Sequence, residues 1–340
     1  MRARKFHPFS CDVIVVDGMW GVGKTAVTSV IGSMPRVEKM RINPIHEFAC
    51  ILHSLGHMSA DAAKYLMLTY ADHDQYHNLI GREVNFRPTD ASGTRNTPGS
   101  TLRYLRRLFA DDGDQIVDVI NSHNIAHHAV THQVLPVAGP LFDAFGERLR
   151  MVHVVRHPVH LVRYWRDYLA DFDREREFTM SIDHQGTKVP WWAAAWAERW
   201  ASMSTIDRTV ASLVEVYRST FAAIDARAHD PRLLVLSFED VVMRPMPAFD
   251  SISAFLERPL GRRTEAILRR ERIPRPTITH GRAFSAHNWA SSGGATETEI
   301  YATECALVTS EASPEFVDQF AVLIDDYDRR HPSELAGLRP

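Results

Sequence analysis

The run Gly18-Met19-Trp20-Gly21-Val22-Gly23-Lys24-Thr25 carries the clearest chemistry in the sequence. A glycine, four residues, a second glycine, then lysine and a hydroxyl residue is the spacing with which backbone N–H groups curl around a phosphate. Gly18, Gly21 and Gly23 free the backbone to turn, the amides around Val22 and Gly23 converge on the anion, and Lys24 neutralises the terminal phosphates. In a nucleotide kinase Thr25 would also hold Mg²⁺ through its hydroxyl. The arrangement works only between a buried strand and the start of a helix, whose N-terminus adds positive potential. Asp12-Val13-Ile14-Val15-Val16-Asp17 is a β-branched run ended by glycine, the pattern of a parallel strand buried on both faces, and Lys24 to Ser33 reads as the helix. The segment predicts phosphate binding without naming the nucleotide or the reaction.

Other residues suggest chemistry less sharply. Glu47 follows a second strand candidate, Val37 to Asn43, in Ile45-His46-Glu47, where such sheets present ligand-facing loops, and it qualifies as a general base. The densest histidine group, His123, His127, His128 and His132, has no acidic or cysteine partner nearby to complete a ligand set, so no metal site is expected. Trp191, Trp192, Trp196 and Trp200 recur at mostly helical spacing after Pro190, which packing onto a core explains; a platform for a sugar or other amphipathic acceptor is the alternative. Asp183 and His184 fall in a polar loop before that helix.

The elements that must position these groups alternate strand with helix, which implies an α/β fold with a central parallel sheet flanked by helices. Ser59 suits the cap of a helix reaching about Ile80, and Arg82 to Ser100 reads as a long loop. Helices follow around 101–109 and 115–122, then a strand His127 to His132, a helix near 141–148 and a strand Arg150 to Val155. Pro158 opens the next helix. From Phe172 to Thr220 the pattern is helical and tryptophan-rich, an insertion at about 170–228 within one domain spanning 1–340. Leu233 to Phe238 returns to strand, with helices at 247–256 and 264–270; a C-terminal loop and helix occupy about 280–332.

Composition excludes several classes. Lys plus Arg number 39 against 42 Asp plus Glu, so no global field draws nucleic acid or an anionic membrane. No stretch offers ~20 consecutive apolar residues, and no signal peptide is evident. Cys11, Cys50 and Cys305 form no paired pattern, which fits a reducing cytoplasm. The sequence is silent on oligomeric state.

Thr131-His132-Gln133-Val134-Leu135-Pro136, an amphipathic helix, and then Met151-Val152-His153-Val154-Val155-Arg156-His157-Pro158 together resemble the central part of the P-loop sulfotransferases that use 3′-phosphoadenosine-5′-phosphosulfate. Leu234 to Asp240, Pro245 and Phe255-Leu256 resemble that family's late strand and helices. The resemblance implies a three-layer P-loop fold and transfer of a sulfuryl group to a hydroxyl of a carbohydrate or small metabolite, without a metal. It assigns His132 as the base and Arg156 as the ligand of the cofactor's 3′-phosphate. The family's 3′-phosphate serine falls on Tyr164, whose phenol can still donate a hydrogen bond. Gly281-Arg282-Ala283-Phe284 and Trp289 echo its C-terminal cofactor loop, with Arg282 on the cofactor and Trp289 against adenine. The Lys24-Thr25 pair leaves open an ATP and Mg-dependent small-molecule kinase, with Asp17 or Glu47 assisting the metal or substrate. A nucleotide-binding module without turnover is the third reading.

Overall fold

A computed structural model describes residues 4–42, 44–87, 92–94, 100–175, 177–279 and 295–332. In chain order the elements are β1 (Val13–Asp17), α1 (Lys24–Ile31), β2 (Arg41–Ile42), α2 (Pro44–Ser54), α3 (Ala60–Leu79), α4 (Ser100–Arg107), α5 (Asp114–Ser122), β3 (His127–Val130), α6 (Gly139–Phe145), β4 (Leu149–Val155) and α7 (Val162–Ala170). There follow β5 (Ser181–His184), β6 (Thr187–Pro190), α8 (Ala197–Trp200), α9 (Thr205–Ala226), β7 (Leu233–Ser237), α10 (Phe238–Met243), α11 (Pro245–Leu256), α12 (Thr264–Arg270), α13 (Glu297–Glu311) and α14 (Pro314–Arg330).

The central sheet has five parallel strands in the order β2-β3-β1-β4-β7, flanked by helices. Because side chains alternate along a strand, β1 feeds two cores at once. Ile14 and Val16 join the core with α1, α7, α9 and the C-terminal helices, while Val13 and Val15 join the one with α2, α3 and α6. β4 does the same through Val152 and Val154 on one face and Leu149 and Met151 on the other. All five residues of β1 are buried, as the unbroken β-branched run requires. The three-layer α/β reading therefore holds.

Several local expectations change. The second strand is only Arg41–Ile42, with one bridge from Val37 to Ala126, because the chain between them buries Glu38 and Lys39 against side-chain partners from α4. Ile45-His46-Glu47 is not a loop: Pro44 sits where a missing N–H costs nothing, and α2 starts there with Glu47 in its first turn. The strand starting at His127 ends at Val130, so His132 lies just beyond it. The segment after Phe172 is not wholly helical. Asp183 and His184 belong to the antiparallel β5–β6 hairpin, turned through Gln185 and Gly186 at φ 52° and 81°. The stretch Trp191–Trp196 is a 3-10 helix rather than α. Trp191, Trp192 and Trp200 are buried in the core, Trp192 edge-on to Trp165 at 5.4 Å, so the packing explanation stands for these three, while Trp196 is half-buried. A further helix, α13, precedes α14.

All three cysteines are free; burial pushes the Cys11 thiol up to about 11 and the Cys50 thiol to about 12. Among the described residues no helix is long and apolar enough to cross a membrane.

Candidate active site

The candidate side chains gather at the C-terminal ends of β3, β1 and β4, the edge at which open α/β sheets bind ligands. Between β1 and α1 the loop Gly18 to Gly23 turns through positive φ at its three glycines. Two of them are held from behind. A Cβ on Gly21 (φ +87°) would meet the Tyr164 ring at 2.8 Å, and one on Gly23 (φ +84°) the Phe238 ring at 2.1 Å. The glycines therefore shape the loop by letting α7 and the start of α10 pack against it. Among the described residues no protein acceptor reaches the amides of Gly21, Gly23, Lys24 and Thr25; the last two are first-turn amides of α1 and have no partner within it.

The Lys24 ammonium is buried, and it lies on backbone oxygens of its own loop. It donates to the carbonyls of Gly18 and Met19. Burial lowers its pKa to about 8, opposed by the charges of Asp17 and Glu47.

Asp17 ends β1 with no exposed surface. Its carboxylate accepts from Thr131 Oγ1 at 2.8 Å, the Val134 and Leu135 amides at 3.1 Å each and His153 Nδ1 at 2.9 Å. Those four bonds occupy the acceptor capacity of an ionised carboxylate. Burial works against ionisation, yet the His153 hydrogen bond and charge, with the charge of Lys24, hold the carboxyl well below the usual carboxylate range. The expectation that Asp17 assists a metal is thereby corrected, since no lone pair is left to give.

His132 and Glu47, read from the sequence as competing bases, form one unit. The Glu47 carboxylate accepts from the His132 amide at 2.9 Å and lies 3.1 Å from His132 Nδ1. An ionised carboxylate only accepts, so Nδ1 carries the proton and Nε2 holds the lone pair of the neutral ring. On its face His132 stacks against the Trp20 indole, ring centroids 3.4 Å apart and planes 13° from parallel. Burial, then the Lys24 charge, lowers the His132 pKa against the pull of Glu47, so the imidazole is neutral at pH 7.

Arg156 leaves β4 in a turn fastened from several sides. The Tyr217 hydroxyl donates to its carbonyl, the next amide donates to Glu239 at 2.8 Å, and His157 Nε2 lies 3.2 Å from Asp328. The guanidinium is buried, donates to the Gly21 carbonyl at 2.9 Å and lies 4.8 Å from the Phe238 ring centroid. Arg156 and Tyr164 thus meet at the same loop glycine.

Sequence reasoning missed three groups here. Two are Trp20, inside the glycine run, and Trp165, whose Nε1 donates to the Trp20 carbonyl at 3.0 Å. Arg275 lies 5.4 Å from the Phe238 ring that Arg156 also covers; burial and then the Arg156 charge lower it to about 10. Nothing local in Pro274-Arg275-Pro276 signals that role. Arg282 and Trp289 lie outside the described residues.

No family model and no curated protein matches the chain. It is similar to several solved structures. One is a sulfotransferase domain from the curacin biosynthetic pathway, 11% identical over 88% of this chain and 98% of that one, with a TM-score of 0.40. A second is a sulfotransferase from Alicyclobacillus acidocaldarius, 13% identical over 92% and 96%, TM-score 0.40. A third is mouse sulfotransferase SULT7A1 complexed with PAP, 11% identical over 95% and 86%, TM-score 0.36. Likeness at this level carries no argument about chemistry, which rests on the residues above.

Proposed function

We propose that the chain is a sulfotransferase that moves a sulfuryl group from 3′-phosphoadenosine-5′-phosphosulfate to a hydroxyl of a carbohydrate or small metabolite. The observation that carries this reading is the junction of two parts: a phosphate loop with unpartnered amides and, stacked on its Trp20, a neutral histidine oriented by Glu47. An anion cradle beside a neutral imidazole with an oriented lone pair is what transfer of a charged group to an alcohol requires.

The loop amides, Lys24 and Thr25 would hold the 5′-phosphate side of the donor, and Arg156 with Arg275 and Tyr164 its 3′-phosphate. Bound there, the donor would supply an activated sulfuryl group and a bisphosphate leaving group. His132 Nε2 takes the acceptor hydroxyl proton as that oxygen bonds to sulfur, and Glu47 stabilises the imidazolium. Lys24 and the loop amides balance the charge that gathers on the departing bridging oxygen as its bond to sulfur breaks. Competing for the same loop, a Mg-ATP kinase would need a carboxylate at the metal; Asp17 is committed to four donors, so Glu47, which already orients His132, would have to serve both.

Thermal shift with adenosine 3′,5′-bisphosphate against Mg-ATP tests the reading, because a ligand of the native state raises apparent stability by mass action. Stabilisation by the bisphosphate alone is the expected result. Stabilisation by Mg-ATP alone rejects the proposal, and binding with no transfer across a broad acceptor panel returns the chain to a nucleotide-binding module. Arg156→Ala should weaken the bisphosphate at least about tenfold more than adenosine 5′-phosphate; equal weakening would remove Arg156 from the 3′ position.

A further inference from the structure

Away from the proposed active site, at the β2 edge, the end of α3 brings together three side chains that none of the preceding chemistry uses. His73 and His77 are one helical turn apart, so both imidazoles share a face, and their ring centroids are 3.9 Å apart. Past Leu79 the chain doubles back through Gly81 and Glu83, both at positive φ, and the Glu83 carboxylate returns to the two rings. Glu83 Oε2 is 3.3 Å from His77 Nδ1, and one potential ligand atom from each of the three side chains lies within 4.8 Å of the others.

We propose that His73, His77 and Glu83 form a binding site for a divalent transition-metal cation of the zinc type, with a fourth position open to water. Donor types and dimensions both carry the inference. Two imidazoles and one carboxylate suit zinc, cobalt or nickel rather than magnesium or calcium. Zinc bonds of about 2.0–2.1 Å to such ligands put neighbouring donor atoms of a tetrahedron about 3.3 Å apart, the observed His77–Glu83 separation. A second observation points the same way: His77 Nδ1 is sealed from solvent and makes no hydrogen bond of sound geometry, although the carboxylate faces it. The ion pair with Glu83 accounts for that nitrogen in part, and a shared cation would satisfy both groups at once.

Two guanidiniums adjoin the site and set its terms. Arg41 Nη2 lies 3.3 Å from Glu83 Oε2 and 3.7 Å from Asp74, while its other nitrogen donates to the Glu83 carbonyl. It can stay as an outer hydrogen bond to the carboxylate, with Asp74 offsetting positive charge. Arg82 is different: its exposed side chain puts Nη1 3.3 Å from His77 Nε2 and must swing away when that nitrogen carries a proton. Removing Arg82 should therefore strengthen metal binding.

The test uses the full chain without an affinity tag, stripped with a chelator. Titration with Co²⁺ should develop the visible d–d absorption of a low-coordinate site, displaced by one equivalent of Zn²⁺, and Zn²⁺ should raise Tm by about 3 °C or more. His73→Ala, His77→Ala and Glu83→Gln should each weaken Co²⁺ at least about tenfold, and Arg82→Ala should tighten it. His123→Ala, at an exposed histidine just past the end of α5 and outside the cluster, should change nothing. Should His77→Ala fail to fold, the exposed Glu83→Gln carries the test. Absence of the cobalt band together with no Zn²⁺-dependent Tm shift overturns the proposal; so does unchanged binding in His73→Ala and Glu83→Gln. None of these readouts depends on the proposed transfer reaction.

Discussion

Two histidine–carboxylate pairs stand at neighbouring strand ends of this sheet, and they differ in how completely each carboxylate is spent. Asp17 and His153 are 2.9 Å apart, essentially without exposure, and two amides and a threonine hydroxyl take up the rest of the carboxylate. Glu47 and His132 are 3.1 Å apart with about a tenth of each side chain exposed, and both of the bonds that join them fall on one Glu47 oxygen. The first pair locks β1 to β4 and to the turn after β3. In the second the same chemistry serves to aim a ring. What separates a structural ion pair from a base is the donor count around the carboxylate, together with access to the far ring nitrogen.

That contrast can be broken or sharpened by experiment. His132→Ala should lower turnover by about 10²–10⁴-fold and leave bisphosphate affinity nearly intact; unchanged turnover would place the base elsewhere. Asp17→Asn should act through stability, costing about 3–5 kcal/mol in denaturant unfolding, because its amide nitrogen would face the Val134 or Leu135 N–H inside a buried network. A variant as stable as the parent would mean that the pair is not sealed. Glu47→Gln should cost about 10–100-fold in turnover, and it has a signature that mere loosening would not produce. Since Glu47 raises the His132 pKa, its removal moves the acid limb of kcat/KM to lower pH.

In the unaltered chain that acid limb should lie below the ordinary histidine value of 6.5, where His132 becomes protonated, and an alkaline limb should lie near pH 8, where Lys24 loses its charge. A profile flat between pH 5 and 9 would disconnect both groups from turnover. A further effect concerns histidines outside either pair. Burial lowers His46 and His127 to about 3 and His128 to about 4. The unfolded chain takes up protons near 6.5 that the folded chain refuses, so folding stability should be intact above that pH and fall progressively as pH drops toward 4. Urea midpoints across that range measure the slope; a slope of zero would mean that these rings open to solvent.

Much of this architecture was legible. The β-branched run of β1 and the glycines after it identify the buried strand, the turn and the start of α1, since an unbroken apolar run ended by glycine suits a strand covered on both faces. Other elements carried signals that were read past. Pro44 with Glu47 three residues on is a helix start, although the sequence around it reads as a strand to Asn43 followed by a loop. Thr296 and Glu299 make a capping box that announces α13, a helix whose apolar residues show no helical period. Gln185-Gly186 supplies the two positive φ values of a tight hairpin with an uncommon residue in the first place. The Glu47–His132 pairing was not legible at all. It joins residues 85 positions apart through packing of α2 beside β3, which no local pattern encodes.

The indole resting on His132 has a spectroscopic consequence. Protonated imidazole at van der Waals distance drains the excited state of tryptophan, so emission from Trp20 tracks the charge on its neighbour. Subtracting the spectrum of Trp20→Phe from that of the parent chain would isolate this signal from the other six indoles. The protein thereby carries a built-in optical meter of the charge on that imidazole, readable in the absence of any acceptor.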